Sequence, residues 1–389
     1  MKVLAMRGGV RGWRWLAGLA VAMVLAAPVM GNSDVRLRAT QEVDQRTNAV
    51  AQLLAGIRPA DGTLSNRVES VAWQQHRDVM QALWQQVRES RLQEMIAWRE
   101  RELRPHVGGA STLLYPFSGP DFLNAYLLFP GLDTYVMFGL EMPGALPEIS
   151  GMSDVRFGEL LGDVRAAMRD IFERNYFITQ YMSKDLHTPR MRGTVPVMLV
   201  MQALLGHRII SADAIDPFPE RTQAQAADIT KRPRKSMRAA RVLFIDPRVG
   251  KAQTLVYYSL DATDKALAHY PEFLPLLAQH RGAVGLVKSA SYLMHDGQFR
   301  GVRDTMLETV SLLVQDDTGI PYRFLVERGW DVRLYGQYSR PIKHFNYGHQ
   351  PDLDAAFRAT RVASELPFSF GYHWKEGKSG LMIARRIRG

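Results

Sequence analysis

The sequence contains no cysteine among its 389 residues. This absence excludes structural disulfides, thiolate nucleophiles, thiolate-held metal ions and a lipid anchor attached to cysteine. The stability of the fold must therefore come from a hydrophobic core, and 46% of the residues are hydrophobic. A chain of this length is long enough to form one large domain or two domains of ordinary size.

The sequence also has no hydrophobic run long enough to cross a bilayer. The apolar run from Leu16 to Val29 falls short of the about 20 residues that a transmembrane helix needs. Small residues at Val29 and Gly31 suit a cleavage site, and a basic segment precedes the run, with cations at Lys2, Arg7, Arg11 and Arg14. This pattern predicts a cleaved signal peptide over residues 1–31 and a periplasmic or secreted protein. The alternative is a membrane anchor that stays attached, which the short run disfavours.

Acidic residues are the minority, with 39 Asp and Glu against 49 Lys and Arg. Removal of the four cations of the signal segment lowers the net charge from +10 to +6. We expect no nucleic acid as a partner of an exported protein, and a basic surface suits peripheral contact with an anionic membrane or with acidic glycans. A solvated surface that serves solubility explains the charge equally well. Residues 217–239 are polar and rich in Lys and Arg, which predicts an exposed basic connection.

The apolar pattern changes its period along the chain. Between Ser65 and Leu103 apolar residues recur every three or four positions, so residues 32–108 are predicted to be a helical N-terminal region, with Pro105 ending the helix. Short apolar runs then alternate with amphipathic segments, which predicts an α/β region over 109–216 and a second one over 240–389 packed against it. The predicted fold class is α/β or α+β, a mixed β-sheet body flanked by helices with a long helical N-terminal extension.

Three elements of the last region are predicted from local pattern alone. The segment Phe299–Val314 is predicted to be one helix, and Tyr322–Val326 is predicted to be a strand. Phe368–His373 and Gly380–Ala384 are predicted to be two strands of a closing hairpin.

The segment from Leu113 to Asp121 predicts a strand, a loop of small residues and the start of a helix. Such a loop can bind an anion or another polar ligand because free backbone amides point out of it, which makes Ser118, Gly119 and Asp121 candidate ligand-binding residues. Glu141 lies 22 positions after Gly119, where a dinucleotide-binding fold places an acid on a ribose. One glycine stands where that fingerprint has three, so no cofactor is expected. Asp121 as a simple helix cap is the alternative.

The segment from Lys288 to His295 is dense in nucleophiles, bases and hydrogen-bond donors. Lys288 and Tyr292 are candidate ligand-binding residues, and Ser291 and His295 are candidate catalytic residues that would share one face if the segment were helical. Neither Gly-x-Ser-x-Gly nor Ser-x-x-Lys is present, so ordinary hydrogen bonding is the competing explanation.

Asp316 and Asp317 are the remaining candidate catalytic residues. Asp317-Thr-Gly spells the tripeptide of aspartic proteases, in which two carboxylates share a proton. That tripeptide should follow a strand and recur in a second lobe, whereas here it follows a predicted helix and has no second copy. A helix-ending turn with Gly319 at a positive φ angle is the alternative. No metal site is predicted, because His344, His349 and Asp352 match no strong zinc spacing.

Several blocks of the sequence resemble a family of uncharacterised exported bacterial proteins. They are Tyr115–Asp121 with Phe138–Glu141, Lys288–His295, Gln315–Pro321, and Leu334–Tyr338 with Pro341 and Ile342. The resemblance covers most of the chain after the signal segment and implies a single integrated body. It implies no activity and no catalytic residues.

Three functions are compatible with these observations. The first is binding of a polar or anionic ligand of the cell envelope, a glycan or a phosphorylated compound, in a pocket of strand-to-helix loops. The second is hydrolysis of an envelope polymer by the residues of segments 288–295 and 315–321. The third is a structural or assembly role of the long N-terminal helix.

Overall fold

Nine β-strands form one mixed sheet in the described part of the chain, which confirms the predicted α/β class. The computed structural model describes residues 43–60, 62, 64–174, 191, 193–218, 237–359, 364–373 and 377–387. The strands are β1 Thr112–Pro116, β2 Thr134–Gly139, β3 Arg208–Ile215, β4 Arg238–Ile245, β5 Ala252–Ser259, β6 Ala283–Val287, β7 Val310–Gln315, β8 Trp330–Gly336 and β9 Gly380–Arg386. Their order in the sheet is β3-β4-β5-β2-β1-β6-β7-β9-β8.

The five central strands of the sheet run parallel to one another. They are β5, β2, β1, β6 and β7. The pairs β3–β4 and β8–β9 extend the two edges in antiparallel fashion. Every residue of β1 is buried, as parallel strands covered on both faces require. Leu113 and Tyr115 belong to the core on one face of the sheet, and Leu114 belongs to the core on the other.

Helices cover both faces of the sheet. They are α1 Gln45–Leu54, α2 Ser65–Val68, α3 Val71–Val87, α4 Gln93–Trp98, α5 Arg104–Val107, α6 Phe122–Leu128, α7 Asp154–Arg174, α8 Thr194–Leu204, α9 Asp264–Leu267, α10 Phe273–Ala278, α11 Arg300–Thr309, α12 Tyr322–Glu327 and α13 Pro351–Ala359. Side chains of α1, α3, α4 and α6 to α8 form the core on the first face, and those of α9 to α12 form the core on the second.

The N-terminal helical region is continuous with the body of the protein. Ser70 caps α3, and two π-helical turns, Arg88–Leu92 and Arg99–Leu103, separate α3, α4 and α5. The apolar face of the helical segment from α3 to α5 is buried, and Trp73 and Trp98 are fully buried. The prediction that Pro105 ends the helix is wrong by two residues. Proline is tolerated there because it lies in the first turn of α5, directly after a π-helical turn.

Three local predictions in the C-terminal region are wrong. Residues 300–309 are helical, but Val310–Gln315 forms strand β7. The periodicity misled here because the apolar run is buried on both faces and has no polar side to mark its period. Tyr322–Glu327 is a helix, and β9 pairs with β7 and β8 rather than forming a hairpin with Phe368–His373.

Two predictions fall mainly on residues that the structure does not describe. The signal segment over 1–31 lies outside the described residues, and so does most of the basic connection over 217–239. Among the residues that are described, no helix combines the length and the apolar character that crossing a membrane requires.

Candidate functional site

The candidate site lies at the carboxyl edge of the sheet, between β1 and β6. The chain leaves β1 toward α6 on one face of the sheet, whereas it leaves β6 toward α11 on the other face. Neighbouring parallel strands whose connections diverge in this way leave a crevice, which is where open α/β sheets bind ligands. A cavity of about 50 Å³ occupies this crevice. Its walls are Tyr115, Phe117–Gly119, Asp121, Gly139–Glu141, Lys288–Ser291 and Leu293.

A buried ion pair crosses the crevice and joins the two loops. The Nζ atom of Lys288 lies 2.7 Å from a carboxylate oxygen of Asp121, and each side chain is 2% exposed. The hydroxyl of Tyr115 donates to the same oxygen at 2.9 Å. The other oxygen accepts hydrogen bonds from the backbone and side-chain nitrogens of Asn124, so Asp121 also caps α6, which was the alternative to a ligand-binding role.

Ser289 has a fixed backbone and a side chain without a hydrogen-bond partner in the described part of the chain. Its amide donates to the Asp316 carboxylate at 2.9 Å, and its carbonyl accepts from the Tyr372 hydroxyl at 2.8 Å. The Oγ atom is buried and unpaired. Because buried hydroxyl groups normally have a partner, this atom calls for an explanation.

The backbone of both loops is strained. Phe117 after β1 and Ser289, Ser291 and Tyr292 after β6 all have φ angles between 52° and 57°. This left-handed conformation costs about 1–2 kcal/mol for a residue with a side chain. Of the five described residues other than glycine with positive φ, four therefore lie in these two loops. Such strain persists only where the surroundings hold it, and it is frequent at functional sites.

Asp316 holds the turn that follows β7 and the loop that follows β6. Besides the amide of Ser289, its carboxylate accepts hydrogen bonds from the amide and the hydroxyl of Thr318. Burial raises the pKa of Asp316, and these hydrogen bonds oppose the increase. Gly371 has a φ of +69°, and a Cβ atom there would lie 2.1 Å from the Asp316 carboxylate. The Asp316 carboxylate is thus enclosed by Ser289, Thr318 and Gly371.

Asp317 lies behind the loop rather than in the wall of the cavity. Its carboxylate accepts a hydrogen bond from the Tyr292 hydroxyl at 2.5 Å. Burial, and then the neighbouring Asp316, raise the pKa of Asp317 to about 7. Burial and the carboxylate of Asp317 likewise raise the pKa of Tyr292 well above its ordinary value. Gly348 packs so closely on the ring of Tyr292 that a Cβ atom would lie 2.4 Å from it.

Glu141 brings a further carboxylate to the cavity from the loop after β2. The hydroxyl of Tyr257 lies 3.4 Å from its carboxylate and 3.2 Å from its backbone carbonyl. Burial and Glu141 raise the pKa of Tyr257 well above its ordinary value. A Cβ atom on Gly139 would lie 2.8 Å from the Glu141 carboxylate and 3.1 Å from the Tyr257 hydroxyl, so a larger residue at the end of β2 would require the Glu141 side chain to move.

Ser291 and His295 do not form the predicted pair on a helix face. Ser291 lies in the left-handed part of the loop, and the short 3₁₀ turn begins only at Leu293. The hydroxyl of Ser291 lies 2.9 Å from the hydroxyl of Tyr372. His295 packs edge-on against Tyr292, and burial lowers its pKa to about 4. His295 does not belong to the wall of the cavity.

Strand β7 changes the reading of the Asp-Thr-Gly tripeptide. The turn follows a strand, as it does in aspartic proteases, because the predicted helix ends at Thr309. The prediction of a positive φ at Gly319 is wrong. Glycine is needed there because a Cβ atom would lie 2.4 Å from the side chain of Gln315, which bonds to Ile320 and closes the turn.

The structure brings most of the predicted site residues to one edge of the sheet. Ser118, Gly119, Asp121, Glu141, Lys288 and Ser291 line the cavity, whereas Tyr292, His295, Asp316 and Asp317 lie behind its wall. Sequence reasoning missed the unpaired hydroxyl of Ser289 and the supporting roles of Tyr257, Gly371 and Tyr372. The placement of Ser289 directly after a lysine was the one signal in the sequence, and nothing local marked the other three residues.

Among the described residues, no three His, Asp or Glu side chains are grouped so that they could hold a metal ion. Comparison of the chain with known protein families, curated proteins and solved structures found no match. The resemblance to a family of exported bacterial proteins therefore stays a prediction.

Proposed function

We propose that this protein binds an uncharged or cationic polar group of a cell-envelope ligand, such as the hydroxyl or amine of a glycan, in the cavity between β1 and β6. The observation that carries the proposal is the buried, unpaired Oγ atom of Ser289 in the wall of this cavity. A ligand that exchanges hydrogen bonds with Ser289 would satisfy a group that otherwise costs about 1–3 kcal/mol.

The charges around the cavity favour such a group over a phosphate. Lys288 is the one cation among the described residues of the wall, and Asp121 already neutralises it at 2.7 Å. The carboxylate of Glu141 leaves an excess of negative charge. A hydroxyl or an ammonium group can donate a hydrogen bond to Glu141, whereas the Glu141 carboxylate would repel a phosphate.

The volume limits what can enter. A space of about 50 Å³ holds about three to five water molecules. The cavity as described takes one functional group and not a whole sugar ring. The strained loops on either side support this, because a backbone fixed by Asp316 and Tyr372 presents the hydroxyl of Ser289 in one orientation.

The test measures binding of glucosamine and N-acetylglucosamine by saturation-transfer NMR, and binding of inorganic phosphate by the broadening of its ³¹P signal. We expect at least one of the two sugars to bind and phosphate not to bind. Ser289→Ala should weaken sugar binding about 2- to 12-fold, which corresponds to one hydrogen bond of about 0.5–1.5 kcal/mol. Ser311→Ala is the matched control, since Ser311 lies at the amino end of β7 and bonds to the carbonyl of Gly282. Sugar binding that Ser289→Ala leaves unchanged, or preferential binding of phosphate, would refute the proposal.

Hydrolysis of an envelope polymer is the second candidate function. The observation that favours it is Asp317, whose pKa of about 7 suits a general acid or base at neutral pH. Against it stands the enclosure of Asp317 behind Tyr292. The test is the pH-rate profile of the protein on chromogenic glycosides and esters, with Asp317→Asn as the variant. Turnover that Asp317→Asn abolishes would favour this function, and no turnover from pH 5 to 9 would reject it.

The third candidate, an assembly role of the N-terminal helix, has no comparable observation. An apolar stripe exposed along residues 79–96 would have favoured it. In the described structure the large apolar side chains of this stretch are buried or half-buried except Ile96, which is 37% exposed.

A further inference from the structure

The guanidinium group of Arg91 lies buried without a carboxylate partner in the described structure. Arg91 is 3% exposed, and its Nε and Nη2 atoms have no hydrogen-bond partner. Its Nη1 atom makes one long hydrogen bond of 3.4 Å, to the carbonyl of Phe172 in the last turn of α7. Burying a cation in this way is costly unless something pairs with it.

The other two buried arginines of the described residues have the partners that Arg91 lacks. Arg67 contacts Asp154 at 2.7 Å and also donates to backbone carbonyls. Arg303 lies 3.9 Å from Asp304 and donates to the carbonyl of Met294. Arg91 is therefore the one buried arginine of the described residues without a carboxylate partner.

Arg91 lines a cleft of about 850 Å³ that shares no residue with the cavity of Ser289. The cleft lies between the π-helical turn Arg88–Leu92, the end of α7, and the ends of β8 and β9. Leu366 and Phe368 form an apolar part of its wall. π-Helical turns inside longer helices are frequent at functional sites. An apolar patch beside a buried cation suits a ligand that carries one charged group on an otherwise less polar body.

We propose that this cleft binds a ligand through a carboxylate group held by Arg91. The planar guanidinium offers two parallel donors, Nε and Nη2, which match the two oxygens of a carboxylate. Three exposed acids, Glu94, Glu173 and Glu365, lie at the same cleft. They disfavour a highly charged anion and favour a carboxylate on a molecule that is otherwise uncharged or cationic.

The cleft and the Ser289 cavity are electrostatically linked. Burial lowers the pKa of Arg91 to about 10, and the carboxylate of Asp121 partly opposes this decrease. Arg91 is thus stabilised in its charged form by Asp121, the residue that pairs with Lys288. The carboxylate site does not depend on the proposed function of the Ser289 cavity, because it has its own walls and its own unpaired group.

The test follows the melting temperature of the protein in sodium acetate and in sodium phosphate, each against sodium chloride of equal ionic strength, and in zwitterionic alanine against buffer with no addition. Because a ligand that binds the folded state stabilises it, acetate and alanine should raise the melting temperature above their reference values. Phosphate stabilises folded proteins by its exclusion from their surface, so any increase that it causes should be the same in the wild type and in a variant of Arg91. Arg91→Gln should lose the increase that acetate and alanine cause, and Arg88→Gln is the matched control, because Arg88 lies exposed in the same π-helical turn.

If Arg91→Gln does not fold, Arg91→Lys replaces it. This variant keeps the charge but loses the two parallel donors, so the acetate-dependent increase should fall to less than half of the wild-type value. The proposal is overturned if acetate and alanine do not raise the melting temperature of the wild-type protein above their reference values. It is also overturned if a folded Arg91 variant keeps the full increase. Since Ser289→Ala leaves the cleft intact, that variant should keep the increase, which separates this site from the Ser289 cavity.

Discussion

Replacement of Lys288 by methionine is expected to destabilise the protein strongly. The substitution keeps an unbranched side chain of similar length but removes the ammonium group that lies 2.7 Å from Asp121. The carboxylate of Asp121 keeps its hydrogen bonds from Tyr115 and Asn124 but loses its cationic partner. A buried carboxylate is then left without compensation for its lost hydration.

The magnitude follows from the burial of the pair. Each side chain is 2% exposed, so solvent cannot screen the charge that remains. Removal of one partner of a buried ion pair costs about 3–5 kcal/mol, whereas replacement of both partners is often close to neutral. Lys288→Met should therefore lower the free energy of unfolding by about 3–5 kcal/mol. The double variant Asp121→Asn with Lys288→Met should recover most of the loss, since asparagine is also a good helix cap.

The assay is urea unfolding at pH 7, followed by tryptophan fluorescence, of the wild type, both single variants and the double variant. Trp73 and Trp98 are fully buried and report on the core. Because removal of either partner alone costs about 3–5 kcal/mol and removal of both is close to neutral, the double-mutant cycle should give a coupling energy above about 4 kcal/mol between Lys288 and Asp121. A loss below about 1 kcal/mol for Lys288→Met would refute the reasoning. So would a double variant that is no more stable than Lys288→Met.

Three further predictions concern close packing and pH. Gly371→Ala should cost about 1.5–3 kcal/mol more than Gly250→Ala in urea unfolding: both glycines have φ near +70°, but only at Gly371 does the new Cβ meet Asp316 and disturb a charge-assisted hydrogen bond. Equal losses would contradict this. Gly139→Ala should weaken any sugar binding detected by NMR, because its Cβ would displace the Glu141 carboxylate, and unchanged binding would argue against the cavity. Stability should fall as the pH drops from 6.5 to 4, because burial lowers the pKa of three histidines to about 4 while the unfolded chain takes up these protons near pH 6.5. They are His76, His207 and His295. The raised pKa values of Asp316 and Asp317 act in the opposite direction, but these are two groups against three, so an unfolding midpoint that increases as the pH is lowered from 6.5 to 5 would contradict the prediction.

The fold class could be predicted from the sequence because its main signals are local. The segment from Leu113 to Asp121 was predicted as a strand, a loop and the start of a helix, and it forms β1 and the capped start of α6 in the parallel β1-α6-β2 unit. The order of the nine strands could not be predicted, since it depends on contacts between segments far apart in the chain. β1 lies between β2 and β6, and nothing in the sequence of β1 specifies β6 as its second neighbour.

The candidate site was predicted in its parts and not in its arrangement. Asp121 and Lys288 were singled out separately, but their ion pair joins positions 167 residues apart. Ser289 was passed over in favour of Ser291, because the sequence does not show that Tyr372 bonds to the hydroxyl of Ser291. A side chain without a partner becomes visible only when all of its neighbours are known.

The prediction that the helix continues over residues 310–314, which lie in β7, had the largest consequence for the predicted function. If residues 310–314 were helical, Asp316 and Asp317 would follow the end of that helix. Nothing in the sequence would then place these two residues near Lys288. With strand β7 parallel to β6, the turn after β7 must emerge beside the loop after β6, and the amide of Ser289 does reach the Asp316 carboxylate. The acids that resemble a protease tripeptide are therefore placed to hold the Ser289 loop in its strained form. Because Asp316 is enclosed by Ser289, Thr318 and Gly371, a supporting role explains its contacts better than direct chemistry does.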